Sequence, residues 1–487
     1  RRLPAPIFVG ASEAMGARIA EEGSDLPGIG IEMRPMRYDT NTTDFTHLLG
    51  RVWGRTKDDD DRFAKLGRTP PEYVGKDGLE WFYEPDLMGK AGTKEIEVDA
   101  KKHPVRVVGW RDSPTPGTKL ELSVDSNLQS LAANLLATAK LKNNPNPVVR
   151  GAVVAIDPST GEVLCLASTP TYDLKKFEHG ISKIDYAELT EDDNHPFINR
   201  CITPTYAPGS TFKIITSLAM QESGIFNTST TVYCDGAFHM KKARLKCLGH
   251  HGQTSYLKAL KLSCNTYFCT MGTRVKIDAL AKAAREMGLG EPAGLDVRND
   301  VRSGVVPDPE YKAKHELGKW FEGDTANTAV GQGYVAVSPL QMADVVAMVA
   351  NRGVMYRPHL VHAKGTAKAD MVTVSPEVTH RVDAPDSFWS TLIEGLHMVV
   401  GPGGTAEVAE IPGLDWAGKT GSAEHSKDEQ THSWFVGFAP LDHPKIAIAV
   451  LVEGAGHGAT VAAPIAREIV KAYLFPANAR VNSSSAP

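Results

Sequence analysis

Residues 206–221 read YAPGSTFKIITSLAMQ and place a serine and a lysine three positions apart, where a turn leads into an apolar-faced helix. At this spacing Ser210 and Lys213 lie one turn apart on the same helix face, so a hydroxyl and an amine would converge. A serine hydroxyl is a poor nucleophile until a base takes its proton, and a desolvated lysine beside other cations is neutral enough to be that base. The pattern predicts a serine nucleophile activated by a lysine.

A second short motif follows the first along the chain. An isolated S-x-x-K is expected about twice by chance in a chain of this composition, so it needs support from elsewhere in the sequence. Ser263, Cys264 and Asn265 form S-x-N, the first element of that support. Its position after S-x-x-K is one of two observations that raise the first motif above a chance match.

A third motif, KTGS at residues 419–422, lies on a predicted strand. Gly421 would let a substrate backbone lie against the strand edge, and Lys419 would supply positive charge. The N–H of Ser422 would pair with that of Ser210 as an oxyanion hole for developing negative charge. Three motifs in this order indicate one acyl-transfer site.

Strand patterns stand at both ends of the region that carries these motifs. Residues 151–168 read as a β-hairpin around the turn PSTG, and three more strands are predicted near 419–423, 433–439 and 446–452, before a helix over 464–475. Mostly helical segments lie between, including one that begins with a capping box of Ser338 and Gln341. We therefore expect an α+β fold: one antiparallel sheet closed by its two ends, flanked by helices, with a helical subdomain.

The first 117 residues differ in character from the rest of the chain. They are rich in charge and turns, and the acidic run from Asp58 to Asp61 is predicted to be a solvated loop. A strand and a capped helix begin at Thr118, so we expect a mostly β and loop N-terminal domain over 1–117 and a catalytic domain over 118–476. Residues 477–487 are predicted to be a disordered tail.

Composition restricts the class of protein. The chain has 487 residues, 42% hydrophobic and 23% charged, with a net charge of -5, which gives no electrostatic case for binding nucleic acid. No uninterrupted apolar stretch is long enough to cross a membrane, and the first residues lack the order of a signal peptide. Because the sequence does not begin with Met, an N-terminal anchor absent from this chain is expected.

The three motifs and their flanking residues resemble those of penicillin-binding proteins and serine β-lactamases. Matching stretches include YAPGSTFK, VGQGYVAVSPLQMADVVAMVANRG, YRPHL, GKTGSAE and HSWFVGFAP, and upstream GKDGLEWFYEPDLMGKAG resembles an N-terminal pedestal. These stretches resemble class B penicillin-binding proteins, and their spacing with the cysteine region is most similar to the elongation-type penicillin-binding protein 2.

That resemblance implies a D,D-transpeptidase of the cell wall with assigned residue roles. Ser210 would be the nucleophile, Lys213 its base, Ser263 a proton shuttle and Asn265 a holder of Lys213, while Lys419 and Thr420 would bind the terminal carboxylate of the D-Ala-D-Ala donor. β-Lactams would acylate the same serine. The resemblance also implies a SEDS-type membrane glycosyltransferase and elongation scaffold proteins as partners, at the extracytoplasmic face of the bacterial inner membrane.

Four residues around the S-x-N motif form a candidate metal site: Cys234, Cys247, His251 and Cys264. Three thiolates and an imidazole are a common tetrahedral zinc set, and four protein ligands make such a site structural. A disulfide between Cys234 and Cys247 and simple burial are the competing readings, with His250 as a substitute ligand. The remaining cysteines, Cys165, Cys201 and Cys269, are predicted to be core residues.

Three rival functions fit parts of the sequence. A β-lactamase and a penicillin-sensing receptor share the acylation motifs, but neither would carry the long N-terminal region. Residues 413–420, GLDWAGKT, match the phosphate-binding pattern G-x-x-x-x-G-K-T of nucleotide-binding proteins. A phosphate loop needs a strand before it and a helix opening at the Lys-Thr pair, which the flanking EVAEIP and GSAEHSKDEQ do not predict.

Overall fold

The structure is a computed structural model, and it describes residues 7–8, 11–22, 25–26, 29–31, 43–100, 104–141, 148–178, 180–241, 243–298, 301–423 and 431–476. Within the described residues of the N-terminal part there are five short helices and two strand pairs. The helices are α1 (Glu13–Glu21), α2 (Thr46–Leu49), α3 (Lys57–Lys65), α4 (Gly78–Phe82) and α5 (Glu84–Leu87). The antiparallel pairs are β1 (Val52–Gly54) with β2 (Tyr73–Gly75) and β3 (Thr93–Val98) with β4 (Pro104–Asp112).

The acidic run is helical, so the prediction of a solvated loop at Asp58 to Asp61 is wrong. Helix α3 begins after Thr56, whose hydroxyl and backbone N–H both donate to the carboxylate of Asp59, at 2.8 and 2.7 Å. Asp59 is buried and also accepts from the ammonium of Lys76. A capping box and a distant cation therefore turn one member of the run inward.

A five-stranded antiparallel sheet forms the centre of the catalytic part, as predicted. Its strands are β6 (Gly151–Ile156), β7 (Val163–Thr169), β16 (Ala417–Ala423), β17 (His432–Ala439) and β18 (Ile446–Val452), in the order β16-β17-β18-β6-β7. Val153 on β6 faces Val450 on β18, so the two ends of the region join in the middle of the sheet. Strand β16, with the KTGS motif, is left at one edge.

Mostly helical segments connect the two halves of this sheet. The sheet is preceded by strand β5 (Lys119–Leu122) and helix α6 (Ser126–Ala137), and the fold ends with helix α17 (Ala462–Leu474). The helices that follow β7 are α7 (Lys175–Glu178), α8 (Lys183–Glu191), α9 (Lys213–Glu222), α10 (Tyr256–Lys261), α11 (Asn265–Val275), α12 (Ile277–Glu286), α13 (Pro309–Lys314), α14 (Glu322–Thr328), α15 (Pro339–Ala350) and α16 (Asp386–Val400). The short strands are β8 (Val232–Cys234), β9 (Ala237–His239), β10 (Arg244–Lys246), β11 (Gly252–Thr254), β12 (Val354–Tyr356), β13 (Val361–Gly365), β14 (Val372–Thr373) and β15 (Val378–Arg381).

Hydrophobic cores cover both faces of the sheet. The smaller core packs α6 and α17 on one face, through residues such as Leu136 and Ile469. The larger core packs α9, α15 and α16 on the other, and α15 begins with the predicted capping box of Ser338 and Gln341. Helix α9, which follows Ser210, is therefore buried inside the molecule. Among the described residues, no helix is both long enough and apolar enough to span a bilayer.

Candidate active site and metal centre

Ser210 lies on a 3-10 turn, Gly209–Phe212, and Lys213 begins the α-helix that continues it. The sequence predicted that Ser210 lies in the first turn of an α-helix, whereas the structure has a tighter 3-10 turn at this position. Gly209 has φ +55, and a Cβ there would stand 2.7 Å from the carbonyl oxygen of Ser422. Only glycine fits both the backbone conformation and this approach. The turn of Ser210 is thus held directly against the strand of the KTGS motif.

Lys213 points into the interior beside the S-x-N motif. Its Nζ donates to the carbonyl and the hydroxyl of Ser263, at 2.8 and 3.1 Å, and to Oδ1 of Asn265 at 2.8 Å. In the described part of the chain, Ser210 Oγ is not among these partners, and catalytic hydrogen bonds often tighten only when substrate is bound. Burial lowers the pKa of Lys213 to about 8. The amine is therefore neutral often enough to act as a base.

Lys419 also contacts the hydroxyl of Ser263. Its Nζ donates to Ser263 Oγ at 2.9 Å and to the carbonyl of Thr420 at 3.1 Å. Burial, and then the positive charge of Lys213, lowers the pKa of Lys419 well below its usual value. Two ammonium groups at one hydroxyl would repel each other, which favours the neutral form of Lys419 before substrate binds. A bound substrate carboxylate would supply negative charge and so favour the charged form. Ser263 connects the two amines as a proton shuttle requires.

The backbone at the S-x-N motif adopts an uncommon conformation. Ser263 has φ +54, a region that costs a non-glycine residue about 1–3 kcal/mol and is concentrated at functional sites. Asn265 begins α11, and its Nδ2 donates to the carbonyl of Lys246 at 3.0 Å while its backbone N–H donates to Cys247 Sγ at 3.2 Å. The cysteine-bearing loop therefore orients the amide that holds Lys213.

Three side chains beside KTGS were not predicted from the sequence. Thr405 Oγ1 lies 3.0 Å from Thr420 Oγ1, Gln332 Nε2 donates to the Ser422 carbonyl at 3.2 Å, and His457 Nδ1 lies 3.3 Å from Ser422 Oγ. They lie 15, 90 and 35 residues from their partners in the sequence, and only Gln332 stands in a quoted motif, VGQGY. Lys419 and Thr420 lie within a strand rather than at a helix start, which excludes the phosphate-loop reading.

The four predicted metal ligands come together beneath the S-x-N motif. The ligand atoms of Cys234, Cys247, His251 and Cys264 all lie within 4.8 Å of one another. His251 Nδ1 is 3.6 Å from the sulfurs of Cys234 and Cys247, and the sulfurs of Cys247 and Cys264 are 3.8 Å apart. A tetrahedral zinc site with usual bond lengths has sulfurs about 3.8 Å apart and sulfur and nitrogen about 3.6 Å apart. The donor set therefore fits a zinc ion.

The other cysteine predictions have separate outcomes. All six cysteines are free thiols, so the structure does not contain the alternative disulfide between Cys234 and Cys247. The ring of His250 instead lies over Gly236, whose Cβ position is 2.8 Å from it. As predicted, three cysteines belong to the cores: Cys165, Cys201 and Cys269.

The α+β fold and the three motifs gathered at this site define the class of the protein as a serine acyltransferase. Residues 151–471 match the penicillin binding protein transpeptidase domain, and residues 2–122 match the penicillin-binding protein dimerisation domain. The chain belongs to the class B penicillin-binding protein transpeptidases, in the group of penicillin-binding protein 2.

Individual relatives extend along nearly the whole chain. The peptidoglycan D,D-transpeptidase MrdA of Acinetobacter baumannii is 33% identical, over 98% of this chain and 73% of the relative. The structure is similar to that of penicillin-binding protein 2 of Helicobacter pylori in complex with MreC (28% identity, TM-score 0.83, 95% of this chain and 84% of that chain). It is also similar to a chain in a structure described as "Structural coordination of polymerization and crosslinking by a peptidoglycan synthase complex" (32% identity, TM-score 0.80, 95% and 80% of the chains).

Proposed function

We propose that this chain is a peptidoglycan D,D-transpeptidase that cross-links stem peptides during cell-wall elongation, through an acyl-enzyme on Ser210. The observation that carries the proposal is the hydroxyl of Ser263 bridging Lys213 Nζ at 3.1 Å and Lys419 Nζ at 2.9 Å, beside the turn of Ser210. The names of the relatives support the substrate class. The same serine would be acylated by β-lactams.

The first half-reaction is acylation. Neutral Lys213 takes the proton of Ser210 Oγ, and the oxygen attacks the penultimate D-Ala carbonyl of the donor peptide. The backbone N–H groups of Ser210 and Ser422 stabilise the oxyanion. The C–N bond then breaks, and the departing D-Ala amine receives a proton through Ser263 as the ester on Ser210 forms.

The second half-reaction regenerates the enzyme. An amine of a neighbouring stem peptide attacks the ester carbonyl and gives up a proton to the relay formed by the Ser263 hydroxyl and the Lys213 amine. The ester bond then breaks, and Ser210 Oγ leaves and takes a proton from the same relay. Lys419 and Thr420 hold the terminal carboxylate of the donor before D-Ala departs. The reaction exchanges one amide bond for another, so it needs no external energy source.

The decisive test is intact-mass spectrometry after exposure to benzylpenicillin. We expect the wild type to gain the mass of one penicillin, Ser210→Ala to gain none, and Ser159→Ala, a serine in the exposed PSTG turn, to label like the wild type. An adduct on Ser210→Ala would refute the assignment of the nucleophile. Persistence of the wild-type adduct separates a transpeptidase from a β-lactamase, which would clear it.

We propose a structural zinc ion at Cys234, Cys247, His251 and Cys264. Without a metal, the contact between the two sulfurs lowers the pKa of Cys247 and raises that of Cys264, so the pair shares a proton that a bound metal ion would displace. When bound, zinc would crosslink the loop that carries Ser263 and Asn265. Protein purified without chelator should contain about one zinc per chain, and Cys234→Ser should contain little; well under one zinc on the wild type would remove this proposal.

We propose that the partners are a SEDS-type membrane glycosyltransferase and elongation scaffold proteins, with the scaffold docking on the N-terminal part. The MreC complex and the synthase complex of the relatives support this assignment. The hairpin β3–β4 in that part exposes apolar side chains, including Ile96, Val107 and Trp110. The chain alone should cross-link lipid-linked precursor poorly, and vigorous cross-linking without a polymerising partner would contradict this.

The substrate also implies a location. Peptidoglycan stem peptides are cross-linked outside the cytoplasm, so we propose that the enzyme acts at the extracytoplasmic face of the bacterial inner membrane, held by an N-terminal anchor. Fractionation of cells that express the full-length gene product should recover it with the inner membrane.

A further inference from the structure

The main chain before Ser210 is fixed by contacts outside the three motifs. Tyr206 exchanges backbone hydrogen bonds with Val337, at 2.8 and 2.9 Å, and the indole N–H of Trp434 donates to the Ala207 carbonyl at 3.1 Å. The phenol of Tyr206 is buried and donates its hydroxyl to Glu453 Oε1 at 2.8 Å. One carboxylate therefore holds the side chain that stands four residues before the nucleophile.

Glu453 is itself held by two arginines at the end of β18. Arg200 Nε donates to Oε1 at 2.9 Å, and Arg150 Nε lies 3.0 Å from Oε2. The Arg200 side chain is 3% exposed and Glu453 is 14% exposed, so the pair is nearly removed from water. Burial raises the pKa of Glu453, but Arg200, Tyr206 and Arg150 outweigh burial and lower it overall. The carboxylate is charged, and its position is fixed by three donors.

The loop that follows Glu453 lies on the KTGS strand. A Cβ at Gly458 would stand 2.7 Å from the carbonyl oxygen of Gly421, so the two backbones are in direct contact. His457 Nδ1 lies 3.3 Å from Ser422 Oγ, and the His457 carbonyl accepts from Ser433 Oγ at 3.1 Å. Glu453 thus joins the segment before Ser210 to the end of β18, in the same sheet as the strand that carries Ser422.

We propose that Glu453 is a positioning residue for acylation, which fixes the turn of Ser210 relative to the strand of Ser422, and so the separation of the two oxyanion-hole N–H groups, by holding Tyr206 at the end of β18. The inference rests on the proposed acyl transfer at Ser210. Oxyanion donors act only at hydrogen-bond distance from the developing charge, and a misplacement of about 1 Å costs up to roughly a hundredfold in rate.

The mildest test removes only the Tyr206 hydroxyl. Tyr206→Phe keeps the ring that packs edge-on against His432 and Trp434. We expect benzylpenicillin to acylate this variant roughly tenfold to a hundredfold more slowly, with an unchanged Kd for the initial complex and a melting temperature lowered no more than in the control variant. The matched control is Tyr83→Phe, which loses a tyrosine–carboxylate hydrogen bond of 2.8 Å to Asp296 and should acylate at the wild-type rate.

A second variant tests whether the hydroxyl acts through Glu453. If it does, Glu453→Gln slows acylation, and the double variant with Tyr206→Phe is no slower than the slower single variant. If Tyr206→Phe is acylated at the wild-type rate, the inference about Glu453 is wrong and the proposed function still stands. Strictly additive losses of rate in the double variant would have the same meaning. If Glu453→Gln fails to fold, the Tyr206→Phe rate still decides. Absence of acylation in the wild type would overturn the proposed function and this inference with it.

Discussion

Lys213 and Lys419 approach one hydroxyl, and this contact determines how the site handles protons. Both amines are buried, and burial favours the neutral form of each. The neighbouring thiols Cys247, Cys264 and Cys269 oppose burial at Lys213, and its pKa settles at about 8. Lys213, the proposed base, therefore loses its proton near pH 8, and burial also favours the neutral form of Lys419.

The acylation rate should depend on pH through Lys213. Below its pKa of about 8 the amine is protonated and cannot take the Ser210 proton, so the rate constant for benzylpenicillin should fall about tenfold per pH unit there and level off above. Stopped-flow acylation across the pH range measures this. Lys213→Arg should acylate negligibly at every pH, because a guanidinium keeps its proton. A wild-type rate that is flat through neutral pH would contradict the assignment of the base.

At the scale of elements, the S-x-N motif depends on the loops that meet beneath it. Strands β8, β10 and β11 and helix α11 bring the four candidate ligands together, and Asn265 is bonded both to this loop region and to Lys213. Ser263 keeps an unfavourable φ at the same point. The groups that hold the loop of Ser263 and Asn265 in place therefore also hold the contacts of these residues with Lys213.

Removing zinc should slow acylation without removing the nucleophile. A chelator that removes the ion would free the loop of Ser263 and Asn265. We therefore expect penicillin labelling to become roughly tenfold to hundredfold slower, which is the usual effect of losing groups that orient a site. Adding zinc should restore the rate. Penicillin labelling rate before and after chelation is the measurement. Cys234→Ser supplies the control, because a chelator should have no further effect on it. Equal wild-type rates with and without the chelator would contradict the prediction.

Elements with a regular pattern were predictable from the sequence, whereas contacts between distant segments were not. The β-branched strands and the PSTG turn of 151–168 and the capping box at Ser338 are local signals, and both predictions were confirmed. The burial of Asp59 depends on Lys76, which local charge counting does not detect. Motif order predicted one site for Ser210, Lys213 and Lys419, and the two lysine amines both lie at the hydroxyl of Ser263. The positions of Thr405 and His457 follow only from the assembled sheet.

At the scale of the whole molecule, the N-terminal part is joined to the catalytic part by buried polar contacts. Thr46 Oγ1 donates to the Tyr172 carbonyl at 2.8 Å, and the Arg51 guanidinium lies 4.6 Å from the ring centre of Phe197. The Tyr83 hydroxyl donates to Asp296, which also accepts the backbone N–H of Leu360 at 2.7 Å. Polar groups from both parts therefore meet at one carboxylate.

Asp296→Ala should loosen this connection. The change leaves the backbone N–H groups of Leu360 and Val361 without their acceptor, at a cost of about 1–3 kcal/mol each. Hydrogen exchange should become faster in α4 and in β13, and the melting temperature should fall. Tyr83→Phe removes one of the three donors and should have a smaller effect. Unchanged exchange in both elements would show that the two parts are held together elsewhere.

The order of the central sheet also determines when the protein can fold. Strand β6 needs β18 beside it, and β18 is reached only after every helix from α7 to α16 has left the ribosome. Pairings between such distant segments form slowly and leave sheet edges open to aggregation in the meantime. The catalytic part therefore stays unfinished until its last strands arrive, and chaperones that cover open sheet edges are the factors whose loss should first lower its yield.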